Sequence, residues 1–127
     1  MNTNYKIALA VVAGAALGAA AMQGLHAQAK LKAYSVAEVE LLNPGVQPTF
    51  LTAAREAITA AHGRSLRTVA GRVVSKEGTP PQHLALVEWD NADDAVAFYQ
   101  SKAWADLAAE RDKFEKVIRR YVVEVEK

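Results

Sequence analysis

Residues 83–89, His-Leu-Ala-Leu-Val-Glu-Trp, limit what this chain can become more than any other stretch. Successive side chains of a strand point to opposite faces. Here Leu84 and Leu86 take one face while Ala85, Val87 and Trp89 take the other. Both rows are apolar, so the strand needs cover above and below and belongs in the middle of a sheet.

The flanking sequence supplies the neighbours. Residues 33–41 alternate in the manner of a strand and stop at Asn43-Pro44-Gly45. From Pro48 onward, Phe50, Ala53, Ala54, Ala57, Ile58 and Ala61 recur at helical spacing and share one face. His62-Gly63 closes that helix, with Gly63 the natural residue past its C-terminus. Residues 65–75 are rich in β-branched side chains and read as a strand, in which Gly71 marks a bulge or a close backbone contact. A turn at 76–81 then makes a hairpin with 83–89.

Asn91 is placed to cap a second helix whose first turn holds Asp93 and Asp94, the charge preferred at a helix start. Ala92, Ala95, Val96 and Tyr99 form its expected buried stripe, and Ser101 is placed to cap a further helix in which Trp104, Leu107, Ala108 and Arg111 share a face. Residues 117–126 read as the last strand. The order β-α-β-β-α-β predicts an α+β, ferredoxin-like sandwich with both helical segments on one face of a single sheet.

That packing leaves the other sheet face bare. The last strand is also apolar both ways, with Tyr121, Val123 and Val125 opposing Ile118 and Val122. A free apolar sheet face is sticky, and a second copy laid against it is the economical cover. The expected assembly is a homodimer, a dimeric α/β barrel.

Residues 1–29 stand outside this pattern. A polar start with Lys6 precedes sixteen uncharged residues, 7–22, rich in Ala and Gly; Ala27-Gln28-Ala29 then gives the small-x-small pattern that signal peptidase accepts. A spanning helix wants about 20 apolar residues, and this run is shorter. The reading is a signal helix cleaved after Ala29, a periplasmic or secreted product, and no stable membrane insertion afterwards. Residues 30–127 make the mature domain, 98 residues long (127 minus 29), enough for one modest core. Its charge balances: 15 basic residues less Lys6 leave 14 against 14 acidic ones. No basic run with interleaved aromatics suits nucleic acid. The absence of cysteine excludes disulfides, thiolate metal sites and a Cys nucleophile.

Residues 71–104, GRVVSKEGTPPQHLALVEWDNADDAVAFYQSKAW, carry a Gly-Arg strand, an EG turn, an apolar strand ending in Glu-Trp, and then A-x-x-F-Y-x-S-x-x-W. Together with Arg111 and the opening AYSVAEVE, this resembles the domain-of-unknown-function family numbered 1330 over about residues 32–125. The resemblance implies the dimeric α/β-barrel superfamily, similar in fold to small cofactor-free monooxygenases and muconolactone-type isomerases, and transfers no settled activity. Two departures stand out: His62-Gly63-Arg64-Ser65 is one glycine short of the usual Gly-Gly-Arg-like stretch, and Trp104 replaces the commoner Tyr.

The candidate chemistry is sparse. Glu88 shares a strand face with Leu84 and Leu86; it is either a general base with a desolvated carboxylate or half of an ion pair with Arg72 or Arg111. Arg111, on an otherwise apolar stripe, can clamp a ligand carboxylate or pair with Glu88; Arg72 invites the same readings, and Glu38 is a further partner. Tyr99, Ser101 and Trp104 can line a small-molecule pocket, or can be explained by core packing and capping alone. His26, His62 and His83 show no metal-ligand spacing, and no cofactor motif is present. Three functions fit: a small-molecule-binding or accessory module of the bacterial envelope, a cofactor-free isomerase or monooxygenase built on Glu88, Arg72 and Arg111, and a purely structural dimer.

Overall fold

The computed structural model describes residues 30–43, 49–68 and 72–127. The leader expected at 1–29, the Pro44-Gly45 turn and the bulge or close backbone contact expected at Gly71 lie outside the described residues. All elements below belong to the unit Leu31–Lys127. In order they are β1 (Lys32–Leu41), α1 (Thr49–Ala60), β2 (Arg64–Leu66), β3 (His83–Trp89), α2 (Ala92–Tyr99), α3 (Lys102–Ala105), α4 (Ala108–Phe114) and β4 (Glu115–Val125).

The strands form one four-stranded antiparallel sheet in the order β2-β3-β1-β4. With α1 between β1 and β2 and the other helices between β3 and β4, the fold is α+β and compatible with the ferredoxin-like arrangement. β1 is central, and its burial alternates residue by residue, with Ala33, Ser35, Ala37 and Val39 buried. Register sets the same row on its neighbours: Ala33 stands opposite Trp89, Ser35 opposite both Val87 and Val122, and Ala37 opposite Ala85 and Arg120. That row is the inner face. Trp89 and Ala33 are completely buried there, packed with Val87, Ile58 of α1, and Ala95 and Phe98 of α2. A second cluster joins Phe50 and Ala54 of α1 to Phe114 of α4, and Trp104 packs against both clusters. Burying side chains such as Phe50, Ile58 and Phe98 contributes roughly 1.5–3 kcal/mol each.

Four local expectations need correcting. Among the described residues the strand expected at 65–75 is Arg64–Leu66, and residues 72–75 belong to no strand. β-Branched residues there signal a preference for extended backbone, which does not by itself provide a partner. The stripe of α2 keeps Ala95, with Ala92 and Tyr99 partly buried against the core, but Phe98 takes the place expected of Val96, which is 44% exposed, because Phe98 rather than Val96 faces Trp89. The single helix expected after Ser101 is two short ones, α3 and α4.

The fourth concerns the end of α1. His62, not Gly63, takes the left-handed conformation, at φ 66°. The amide N–H groups of His62 and Gly63 donate to the carbonyls of Thr59 (3.0 Å) and Ile58 (2.9 Å), the paired bonds of a Schellman end. Gly63 is required for space instead: a Cβ there would lie 2.7 Å from Ile58 Cγ2 and 2.9 Å from the Trp89 ring.

On the outward sheet face, Tyr34, Val36, Leu66, Leu84, Leu86, Tyr121, Val123 and Val125 share the opposite row. Leu66, Tyr121, Val123 and Val125 remain 42–43% exposed.

Candidate functional site

Between α1 and the inner sheet face lies a cleft of about 420 Å³. Small residues create it. Ala37 on β1, Ala85 on β3 and Ala54 on α1 all line it, and each stands where a larger side chain would fill the gap. The β2 ladder reaches only Leu86–Glu88, and Ser65, Arg67 and Thr68 flank the cleft on that side. Its apolar walls include Val39, Phe50, Ile58 and Phe114; its polar lining includes Tyr99, Glu115 and Arg120.

Arg120 and Glu115 share this face because of an irregularity in β4. Glu38 pairs with Arg119 and Val39 with Val117, leaving Ile118 as the extra residue of a β-bulge. Without that shift, strict alternation would send Glu115 and Arg120 to opposite faces. With it, Glu115 Oε1 lies 3.8 Å from Arg120 Nη2, in a pair whose side chains are 7% and 20% exposed. That distance is an ion pair and too long for a hydrogen bond. Arg120 Nε is buried and has no hydrogen-bond partner among the described residues.

Aromatic rings hold the guanidinium in place. Arg120 Cζ lies 4.7 Å from the Trp104 ring centroid and 5.3 Å from that of Tyr99, and the two rings meet edge to face at 89°. Arg111 Cζ also approaches Trp104, at 5.0 Å. Tyr99 is fixed from behind: its hydroxyl shares a 2.8 Å hydrogen bond with Ser35 Oγ, which accepts the Trp89 indole N–H at 3.0 Å. Burial pushes the Glu115 carboxyl above its ordinary range, with Arg120 and Arg111 opposing. Burial likewise pulls Arg120 down and pushes the Tyr99 phenol up. In each case desolvation outweighs the partners.

The residues anticipated from sequence do not form one site. Tyr99 and Trp104 reach the cleft; Arg111 approaches Trp104 from a second depression of about 460 Å³ that also borders Glu115 and Arg120. Ser101 is occupied as a cap, its Oγ accepting from Trp104 N–H and donating to the Phe98 carbonyl. Arg72 is exposed. Glu88 stands opposite Tyr34 in the outward row, on the far side of the sheet from Arg111. Its carboxylate accepts from Lys32 Nζ (2.9 Å), Arg64 Nε (3.0 Å) and Tyr34 OH (3.4 Å), not from Arg72 or Arg111. Lys32 and Arg64 hold it below the ordinary carboxylate range, which fits the ion-pair reading with other partners and not the desolvated base that was its alternative. Glu38 pairs with Arg119 through two bonds of 2.7 and 2.8 Å.

Sequence reasoning missed Arg120, Glu115 and Ser35. Parity puts Arg120 in the row of Val122 without saying that this row is the inner one; Glu115 lacks even that signal, because the bulge hides its phase. Among the described residues no three His, Asp or Glu side chains converge as a metal site.

Comparison with curated proteins gives no match. The profile of the domain-of-unknown-function family DUF1330 matches residues 32–125, a stretch that includes every element lining the cleft. The chain belongs to the DUF1330 family, a domain of unknown function.

Proposed function

We propose that this chain is an exported, homodimeric domain of the bacterial envelope that holds a small molecule in the cleft between α1 and the sheet. The observation that carries the ligand reading is Arg120: a guanidinium ringed by Trp104 and Tyr99, lining a cleft of about 420 Å³, with one buried donor that no group among the described residues satisfies. Buried donors are rarely left unpaired without a functional reason. An apolar cleft with few convergent polar groups is the usual form of a small-molecule site. Export rests on the three-part leader at 1–29. Dimerisation rests on the outward sheet face, where Leu66, Tyr121, Val123 and Val125 stay over two-fifths exposed.

Native mass spectrometry of the protein recovered from its own compartment tests the three parts together. The expected spectrum is a dimer of chains beginning at Lys30, carrying a small-molecule adduct that is lost in Arg120→Gln. Monomeric chains beginning at Met1, without adduct at native concentrations, would overturn the reading.

A further inference from the structure

The geometry points to an organic monocarboxylate with an apolar body as the ligand, bound by Arg120, with Glu115 taking up a proton as the ligand enters. This rests on the cleft being a small-molecule site and specifies what the site selects.

Charge restricts the choice. Arg120 lines the cleft, and Trp104 and Tyr99 cover part of its guanidinium, so hydrogen bonding is left to the rest of its edge. A carboxylate meets such an edge with two parallel acceptors, the arrangement for which a planar fork is suited. The surrounding walls of Phe50, Ala54, Ile58 and Phe114 favour an apolar body behind that headgroup. A phosphate dianion fits less well, since the other largely buried guanidinium, Arg111, borders the neighbouring depression and not the cleft, and Arg120 already faces Glu115.

Glu115 then decides the proton count. Its carboxyl sits 3.8 Å from Arg120, within reach of any anion that docks on the same guanidinium. Two carboxylates sharing one site do not both stay ionised; one takes a proton. Glu115 is already inclined to be that one, because burial favours its neutral form. Protonated, it becomes a donor to the incoming carboxylate. Other charged or titratable groups border these cavities: Arg120 and Lys116 on β4, Arg111 and Asp112 on α4, Tyr99 on α2, Arg55 on α1, Arg67 after β2 and His83 on β3. The cationic ones favour anion entry, and His83 must be controlled for.

The test is calorimetric titration of the full chain with hexanoate and phenylacetate, and with hexanamide and phenylacetamide as neutral isosteres. Titrations run between about pH 5 and 8, in buffers of two ionisation heats and in a His83→Gln background. Each acid is expected to bind at least about tenfold more tightly than its amide, with affinity rising as pH falls and a net uptake of protons on binding. Glu115→Gln is expected to abolish the proton uptake and flatten the pH profile while keeping the preference for acid. Arg120→Gln is expected to erase that preference. Equal binding of acid and amide by the unmutated protein would overturn the carboxylate assignment and leave the cleft as a site for something else; binding of neither probe would remove the cleft reading as well. Proton uptake persisting in Glu115→Gln would overturn the role given to that residue. The acid-to-amide ratio needs no variant, so a misfolded mutant leaves the assignment testable.

Discussion

A methyl group at Gly63 would come within 2.7 Å of Ile58 Cγ2 and 2.9 Å of the Trp89 ring, both side chains of the principal core. Neither can move far, because Trp89 is fully buried and tied to Ser35 by its indole N–H. Gly63→Ala is therefore expected to cost about 1–3 kcal/mol of stability, the range for overpacking a core, read as a lowered midpoint in urea unfolding. His62→Gly should act the other way. A non-glycine residue at φ 66° carries left-handed strain of about 1–2 kcal/mol, part of which glycine's greater unfolded-state entropy offsets. An unchanged or raised midpoint is the expected result, and a clear loss would show that the His62 side chain contributes more than its backbone costs. The sequence Ala61-His62-Gly63 marks the helix end correctly, yet it does not say which residue turns left-handed, because Gly63 answers to Trp89, twenty-six positions further along the chain. Arg120 and Glu88 teach the same lesson. Alternation assigns each to a row; only the packing of Trp89 and Phe98 identifies which row is inside.

At the scale of elements, α2 is the most sequence-determined piece of the fold. Asn91 has extended backbone, its side-chain oxygen accepts the Asp94 amide at 2.9 Å, and Asp93 and Asp94 sit in the first turn. Every local signal agrees there, and the helix begins where it was expected. Asn91→Ala should destabilise by about 1 kcal/mol, and Asn91→Gly by a few tenths only; comparing their thermal midpoints checks this, and equal losses would assign the effect to something other than the cap. Because α2 carries Tyr99, fraying it should also loosen the wall around Arg120. β4 is the counterexample. Its extent was legible to within a few residues, but the bulge at Ile118 was not, since a bulge is a property of the ladder between two strands. That one irregularity brings Glu115 into the cleft, so the half of the candidate site contributed by the start of β4 could not be read from alternation. The shortness of β2 was invisible for a similar reason: residues 72–75 have extended propensity, while among the described residues β3 forms its ladder on that edge with Arg64–Leu66.

For the molecule as a whole, the carboxylates divide into opposing groups. Glu38 and Glu88 are held low by Arg119, and by Lys32 and Arg64. Their contribution is complete above the ordinary value of 4.5 and is lost as pH falls through the lower folded values. Glu115 is raised, so its contribution is present below 4.5 and is lost as pH rises through its folded value. Replacing it by Gln removes a titrating group whose burial outweighs its partners. The thermal midpoint of Glu115→Gln relative to the unmutated chain should accordingly climb as pH rises from about 4 to 8. A difference that is flat or falls with pH would mean that Arg120 compensates Glu115 fully.

The two sheet faces also separate the two proposed activities. The cleft and its Arg120–Glu115 pair occupy the inner face; the apolar row proposed to meet a second copy occupies the outer one. Val36 is the place to pull them apart. It lies on the central strand opposite both Leu86 and Tyr121, near the middle of the outward row. A lysine there reaches water in a single chain, but in a face-to-face dimer it is trapped without a partner, a penalty of about 3 kcal/mol or more. Sedimentation equilibrium of Val36→Lys should show a dimer constant weakened at least about a hundredfold. Hexanoate binding per chain should be unchanged, because the altered side chain points away from Arg120. A Val36→Lys dimer as tight as the original would place the interface elsewhere. Loss of hexanoate binding together with dissociation would mean instead that the cleft is completed across the interface, and that the separation of faces does not hold.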